Sequence, residues 1–262
     1  MPLEIISGRV VAAGATETVL TMSGNDSNTI RNFETSKKAW ILQTWTQNQG
    51  AGIWKIRSPR WHDNVQGLRF RVPIALPYPL LHPGYPQPVL PQDNLLLSLS
   101  GSATAGDFDV ACMLVYYESL DGSQGRYMKA QDVKSKIKNL MSIEVTTSGG
   151  ATGGYSGAAA LNSTFDLMKA NTDYALLGYV CSVNSPAITI YGPDTGNLRI
   201  GGPGLVGVRP YIANWYLKLA EYTGLPLIPI INSANKAGTF AEVLSDENSL
   251  APITNFIFAE LG

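Results

Sequence analysis

Charge is scarce in this 262-residue chain: Asp, Glu, Lys and Arg make up 15% of it, and the net charge is -1. An average globular domain is about 25% charged. Without a positive field the chain lacks the several Lys and Arg contacts to phosphate on which nucleic-acid binding rests, so no direct nucleic-acid binding is expected. Imidazole and thiol are as sparse, with two histidines, His62 and His82, and two cysteines, Cys112 and Cys181. Both cysteines lie in apolar runs and form no CxxC or Cys/His cluster, which reads as two buried free thiols and no metal site. Nowhere do 18 apolar residues run together, and the N-terminus, MPLEIISGRVV, has no basic segment leading into an apolar one. The expectation is a chain that is neither exported nor membrane-spanning. A nucleophile elbow is absent too, since Gly154-Tyr155-Ser156-Gly157 lacks the G-x-S-x-G spacing. No catalytic residue, no cofactor and no enzyme activity are expected.

What the chain has is turn formers and two-residue periodicity. Its 26 glycines and 16 prolines favour short strands and frequent turns. Leu68, Phe70 and Val72 alternate with Arg69 and Arg71; Trp54 and Ile56 alternate with Lys55 and Arg57. Leu95, Leu97 and Leu99 share a face, as do Phe108, Val110, Cys112, Leu114 and Tyr116. This is the pattern of strands with one face in a core. Ser23-Gly24-Asn25-Asp26 and Gly192-Pro193-Asp194-Thr195-Gly196 supply turns between them. Two helical periods interrupt the strands. In 126–141, Val133, Ile137, Leu140 and Met141 make one apolar stripe among lysines, and after Pro210 the residues Ile212, Trp215, Tyr216 and Leu219 make another, closed by Gly224.

The chain also repeats itself. At a common offset of 134, Trp40 falls on Tyr174, Leu42 on Leu176, Trp45 on Tyr179, Ile56 on Ile190 and Pro59 on Pro193. Both copies continue to an Asn and a Leu-Arg pair, Leu68-Arg69 and Leu198-Arg199. Ala105-Gly106-Asp107-Phe108 answers Ala237-Gly238-Thr239-Phe240, and each half finishes in an aromatic strand, LVYYE to Glu118 and FIFAE to Glu260. The expected organisation is a sandwich over 1–124, a linking helix over 125–141 and a second sandwich over 142–262, all-β apart from short inserted helices.

Several clusters invite chemistry. Gly202-Pro203-Gly204-Leu205-Val206-Gly207 is a formal G-x-G-x-x-G, but a dinucleotide site needs a helix N-terminus directly at the glycines, and here no helix starts before Pro210. It reads as a loop. Arg60, Trp61, His62 and Asp63 form the densest polar cluster, taken as candidate intersubunit contacts at a loop tip rather than a base or metal ligand. Asp107 and Asp109, two residues apart, read as a solvated strand end, with bound calcium as the chemical alternative. Trp40, Trp45, Trp54 and Trp61 crowd one segment; Trp40 and Trp45 have counterparts in the second copy and read as core, which leaves Trp61 as a surface anchor. Lys55, Arg57, Arg60, Arg69 and Arg71 put five cations in 17 residues with Asp63 the only acid, a local patch that could meet an acidic neighbour, a lipid headgroup or nucleic acid, with an intersubunit contact the favoured reading.

Two consecutive sandwich copies, no catalytic set, little charge and the pairings of WILQTW with YALLGY, KIRSP with TIYGP and ATAGDF with NKAGTF resemble the double jelly-roll major capsid proteins of tailless icosahedral, membrane-containing bacteriophages. The resemblance implies upright jelly rolls and a homotrimer whose six sandwiches make a pseudo-hexagonal tile. Its partners would be neighbouring capsid trimers, other capsid proteins and an internal lipid membrane, in a virion assembled in the host cytoplasm. The alternative expectation is a carbohydrate-binding β-sandwich, an adhesion or receptor-binding module that uses its tryptophans.

Overall fold

The computed structural model describes residues 2–32, 37–74, 76–81, 84–120, 125–163, 167–207, 209–245 and 251–262. His82 and residues 121–124, at the expected boundary, lie outside them. The strands are β1 (Leu3–Val11), β2 (Thr18–Val19), β3 (Thr21–Met22), β4 (Ala39–Gln47), β5 (Gly52–Arg57), β6 (Leu68–Val72), β7 (Gln87–Val89), β8 (Leu96–Leu99) and β9 (Phe108–Tyr117), followed by β10 (Tyr127–Met128), β11 (Ile137–Thr146), β12 (Ala159–Ala160), β13 (Asp173–Cys181), β14 (Ser185–Tyr191), β15 (Ile200–Gly204), β16 (Ile228–Asn232), β17 (Phe240–Leu244) and β18 (Ile253–Leu261). Three short helices join them: α1 (Ala130–Lys134), α2 (Arg209–Ile212) and α3 (Trp215–Thr223).

All named strand pairs are antiparallel, and the sheet orders are β3-β1-β9-β4-β7 with β2-β8-β5-β6, then β10-β16-β13-β18-β11 with β12-β17-β14-β15. Set aside the edge strands β3 and β10, and each half has eight strands. Counted from one within a half, the larger sheet runs 1-8-3-6 and the smaller 2-7-4-5, both times. That interleaving is a jelly roll, so the chain is two tandem antiparallel jelly-roll sandwiches.

The two rolls stack as four layers. The first roll closes around Ile6, Ile41, Trp54, Ile56, Leu97, Leu99, Met113 and Val115, between its two sheets. The opposite face of its five-stranded sheet, carrying Leu3, Ile5, Trp45, Val110, Cys112, Leu114 and Tyr116, joins the apolar cluster of the second roll. There β14 and β15 lie on β1, β4 and β9. The central sheet is therefore buried on both sides, which is why β9 reads FDVACMLVYY, a near-continuous apolar run where a half-solvated strand would alternate.

Three expectations are corrected. The linking helix over 125–141 is α1 alone; from Ile137 the chain is β11, paired along its length with β18. Its apparent helical stripe was two strand faces read as one, with Leu140 exposed and Met141 half-buried on opposite sides. The offset of 134 slips in β4 and β13: each carries one bulge against the closing strand, at Leu42 and at Leu177, and aligning the bulges gives 135. One residue of slip exchanges faces, so Trp45 belongs to the junction between rolls while Tyr179 lies in the core of the second. Finally, Phe108 opens β9, the eighth strand of its roll, whereas Phe240 opens β17, the seventh of its own; the AGDF and AGTF match is not an equivalence. The stripe after Pro210 is helical as expected, split into α2 and α3, and Gly224 ends it at φ 69°.

Candidate interaction surfaces

The junction between the rolls is bonded by side chains from both of them. Trp45 Nε1 donates to the Pro186 carbonyl at 2.6 Å, and the ring meets Trp215 edge-on at 6.0 Å. The Ile5 N–H donates to the Arg199 carbonyl at 2.8 Å, tying β1 to the residue before β15. Around this bond sits a polar cluster that composition did not reveal. Asp26 Oδ2 accepts from the Ser7 N–H at 2.9 Å, from Ser7 Oγ at 2.7 Å and from the Tyr155 hydroxyl at 3.0 Å. Arg199 donates to Glu242 at 2.6 Å, lies 4.0 Å from Asp26 and covers the Tyr155 ring at 4.4 Å. No spacing in the sequence unites Ser7, Asp26, Tyr155, Arg199 and Glu242; only the stacking does. A polar cleft of about 220 Å³ lined by Glu4, Asp26, Arg31 and Arg199 opens beside them.

Burial pushes the Glu4 and Asp26 carboxyls above their ordinary range, with Arg31 opposing it at Glu4 and the Ser7 bonds opposing it at Asp26. Asp173 is held low chiefly by the hydrogen bond from Arg126, and Glu221 by that from Lys134. The two sets act on stability with opposite sign. A raised carboxyl binds its proton more tightly in the folded chain, so its contribution is full below the ordinary carboxylate range and is lost as pH rises through the folded pKa. A lowered one contributes above the ordinary range and loses that contribution as pH falls through the folded pKa. Asp26→Asn, which retains an acceptor without the charge, should therefore gain stability relative to the unmodified chain as pH rises from about 4 to 7. Urea midpoints across that range check it; parallel curves would contradict the assignment.

The Gly-rich stretch is no nucleotide cradle: residues 202–204 are not loop but the end of strand β15, buried throughout, and only 205–207 continue as the expected loop. The strand's glycines make room for protein. A Cβ on Gly202 would stand 2.5 Å from the Trp215 ring and 2.6 Å from the Tyr179 hydroxyl, and one on Gly201 would stand 2.0 Å from the Ile188 carbonyl.

Arg60, Trp61, His62 and Asp63 lie between β5 and β6. Arg60, Trp61 and His62 share a cleft of about 320 Å³ with Gln87 to Leu90; Asp63 stands outside it. Asp63 instead accepts from the Gln66 N–H at 2.8 Å and the Val65 N–H at 3.1 Å, bonds that hold its carboxyl below the usual range, that of Gln66 foremost. Trp61 is half-buried against the core of the first roll, so the expected surface anchor rests largely on its own chain. The other tryptophans are packed as well: Trp45, Trp54 and Trp215 are buried and Trp40 stacks on Tyr116 at 5.5 Å. That arrangement offers no row of free rings for a sugar. Asp109 is not a solvated strand end. It is fully buried and accepts from the Gln49 N–H at 2.7 Å and the Ser102 N–H at 2.8 Å, while Asp107 accepts from Ser102 Oγ at 2.5 Å. Among the described residues no three His, Cys, Asp or Glu side chains gather as metal ligands, and no helix is long and apolar enough to cross a membrane. Cys112 and Cys181 are buried free thiols.

The cations divide. Lys55, Arg57, Arg69 and Arg71 stand on the outer face of the first roll's four-stranded sheet, and Arg60 bonds the Pro91 carbonyl at 2.9 Å beyond its end. Lys55 sits directly across from Arg69. Like charges opposed in this way destabilise a strand pair. Glu17, 2.8 Å from Lys55, is one counter-charge.

No family model matches the chain, and no curated protein matches it. Among solved structures it is similar to the crystal structure described as PBSX exported protein XepA, at 9% identity over 98% of this chain and 86% of that one, with a TM-score of 0.27. An overlap of that size leaves the reading of this chain to its own geometry.

Proposed function

We propose that the protein is a structural shell subunit, a double jelly-roll major capsid protein of the kind found in tailless icosahedral bacteriophages, and that it works by assembly rather than by catalysis. The observation that carries this reading is the eight-strand order drawn twice and stacked sheet on sheet within one chain. The step from that architecture to a capsid is fold-level analogy, and the chain's chemistry agrees with it. A surface poor in charge suits edge-to-edge packing, because desolvating charge at every contact is costly. Near-neutrality suits a subunit kept apart from the genome, and burial repeated over many copies supplies the driving force. Trimers, contact with neighbouring trimers and residence in the virion are parts of the same proposal. Light scattering on the purified chain should give trimers or larger species, and electron micrographs should give shell fragments or closed particles. A strict monomer up to high concentration in both would overturn it.

A further inference from the structure

We infer that the second roll binds a cluster of internal water at one end, between its two sheets, through the hydroxyls of Thr147, Ser245 and Thr254, where the first roll closes the corresponding end with the carboxylate of Asp109. The inference is independent of what the chain assembles into.

Strand register brings the three side chains together. Thr254, Phe256 and Phe258 of β18 face the interior of the second roll while Ile253 and Asn255 face away, and β11 turns Ile143 and Val145 inward, with Thr147 next on that face. Thr254 is the cross-strand partner of Val145, and the Thr147 N–H donates to the Pro252 carbonyl at 3.4 Å. The ladder therefore runs on to Thr147 and sets the two threonines diagonally on one face. Ser245 comes from the opposite sheet. It follows β17, whose Glu242 turns out to Arg199 at the seam, so Ala241 and Val243 point inward and Ser245 continues their row. Because β17 and β18 are consecutive strands, the end of one and the start of the other lie at the same end of the roll.

These hydroxyls are buried and unpaired. Thr147, Ser245 and Thr254 are 1%, 0% and 1% exposed, and none of their oxygens has a hydrogen-bond partner among the described residues. Ser185, which opens β14 at this end, is a fourth. Burying one hydroxyl without a partner is unfavourable, and several at one end of a sandwich call for a common partner.

The first roll shows what packing alone would use. With the bulges aligned, Leu114 falls on Ile257 and their cross-strand partners are Ile5 and Ser142. Continuing along the strands, Thr147 corresponds to Val10 and Thr254 to Ala111, both in the core of the first roll. Threonine and valine share a shape, so the hydroxyl of Thr147 contributes polarity and nothing to the fit. Asp109, which accepts from the Gln49 and Ser102 N–H groups, corresponds to Pro252, which has no polar side chain. Polarity has moved from a single carboxylate to the walls. Water matches such walls, because it donates and accepts as each hydroxyl does and typically makes about three hydrogen bonds to buried groups that otherwise lack them. Neutral hydroxyls suit it better than they suit a metal ion, which is held chiefly by carboxylates.

Two measurements on the full chain test this. A crystal structure of the unmodified chain should show ordered water within hydrogen-bond distance of at least two of the three hydroxyls. Thr147→Val and Thr254→Val, which keep the shape, should each lower the melting temperature by about 2–4 °C, the shift for one lost hydrogen bond in a chain of this size. The density decides even if a variant fails to fold. A dry gap between the hydroxyls would overturn the inference, and so would a melting temperature that stays or rises in the valine variants, the result of deleting a hydroxyl that had no partner. A melting temperature that depends on which salt cation is present, and loses that dependence in Thr254→Val, would make the occupant an ion and overturn it as well.

Discussion

Trp45→Ala is expected to destabilise the folded chain by about 3–5 kcal/mol, the range for removing a fully buried tryptophan. Total stabilities run to roughly 5–15 kcal/mol, so this one ring supports a large share of the whole. The side chain is 0% exposed, and its neighbours come from both rolls: Pro186 accepts its N–H and Trp215 stands 6.0 Å away at an interplanar angle of 86°. The cavity left behind would open in the seam, not inside either sandwich. Each roll keeps its own strand ladders, so the two should cease to unfold together, and urea transitions followed by tryptophan fluorescence and by circular dichroism should separate. Trp45→Phe keeps most of the volume and loses the hydrogen bond, a cost of about 1–3 kcal/mol for the carbonyl left without its donor. A single coincident transition in Trp45→Ala, displaced by less than about 1 kcal/mol, would mean that the rolls do not depend on this contact.

The fold was legible in the sequence where a strand has one wet face, and blurred where it has two dry ones. Leu68 to Val72 alternates with arginines because only one side of β6 is packed, and the pattern shows directly. In β9 the sandwich core takes Ala111, Met113, Val115 and Tyr117 while the seam takes Val110, Cys112, Leu114 and Tyr116. Both sets are apolar, so periodicity could identify the strand but not which side faces what. The repeat was visible for the same reason it was misregistered: a bulge at Leu42 and another at Leu177 shift the faces by one residue without altering the apolar look of WILQTW and YALLGY. Linear spacing carries no sign of a bulge. The segment Ile137–Met141 failed differently, because an edge strand with exposed Leu140 imitates a helix with one apolar stripe. As for the candidate surfaces, the cationic strand face of Lys55, Arg57, Arg69 and Arg71 was readable, since it follows from alternation alone. The polar cluster of the junction was not: Ser7, Asp26, Tyr155, Arg199 and Glu242 are far apart in sequence, and nothing but the stacking of one roll on the other brings them together.

The scarcity of charge takes on a physical meaning in this arrangement. The central sheet has no wet face, and the acids set against it, Glu4 on its sandwich side and Asp26 at the seam, are costly unless bonded. Glu4 receives the Tyr117 hydroxyl at 2.8 Å and Arg31 at 2.6 Å; Asp26 receives Ser7 and Tyr155. These two carboxylates have been given their donors, as a layered interior requires. The seam therefore selects partners by register as well as by apolar area, because a slip of one residue would strand Asp26 and Arg199 without partners.

Asp109→Ala should be the most damaging polar substitution in the first roll, at about 3–5 kcal/mol, since a buried N–H deprived of its acceptor costs about 1–3 kcal/mol and several are involved. The carboxylate joins two separate turns. Oδ1 accepts from Gln49 and more distantly from Gly50, between β4 and β5, and Oδ2 accepts from Ser102, beyond β8. Gly101 has no side chain because a Cβ there would stand 2.2 Å from that oxygen. Asp109→Asn preserves the shape but points an NH₂ at a donor on one side or the other, so it should recover only part of the loss, remaining about 1–3 kcal/mol short. The same geometry decides the calcium alternative. Both oxygens are turned toward backbone N–H groups, and a cation could enter only by displacing them. Millimolar calcium should therefore leave the melting temperature of the unmodified chain where it stands in chelator. A rise that vanishes in Asp109→Asn would instead make this carboxylate a ligand and the turns around it a metal loop.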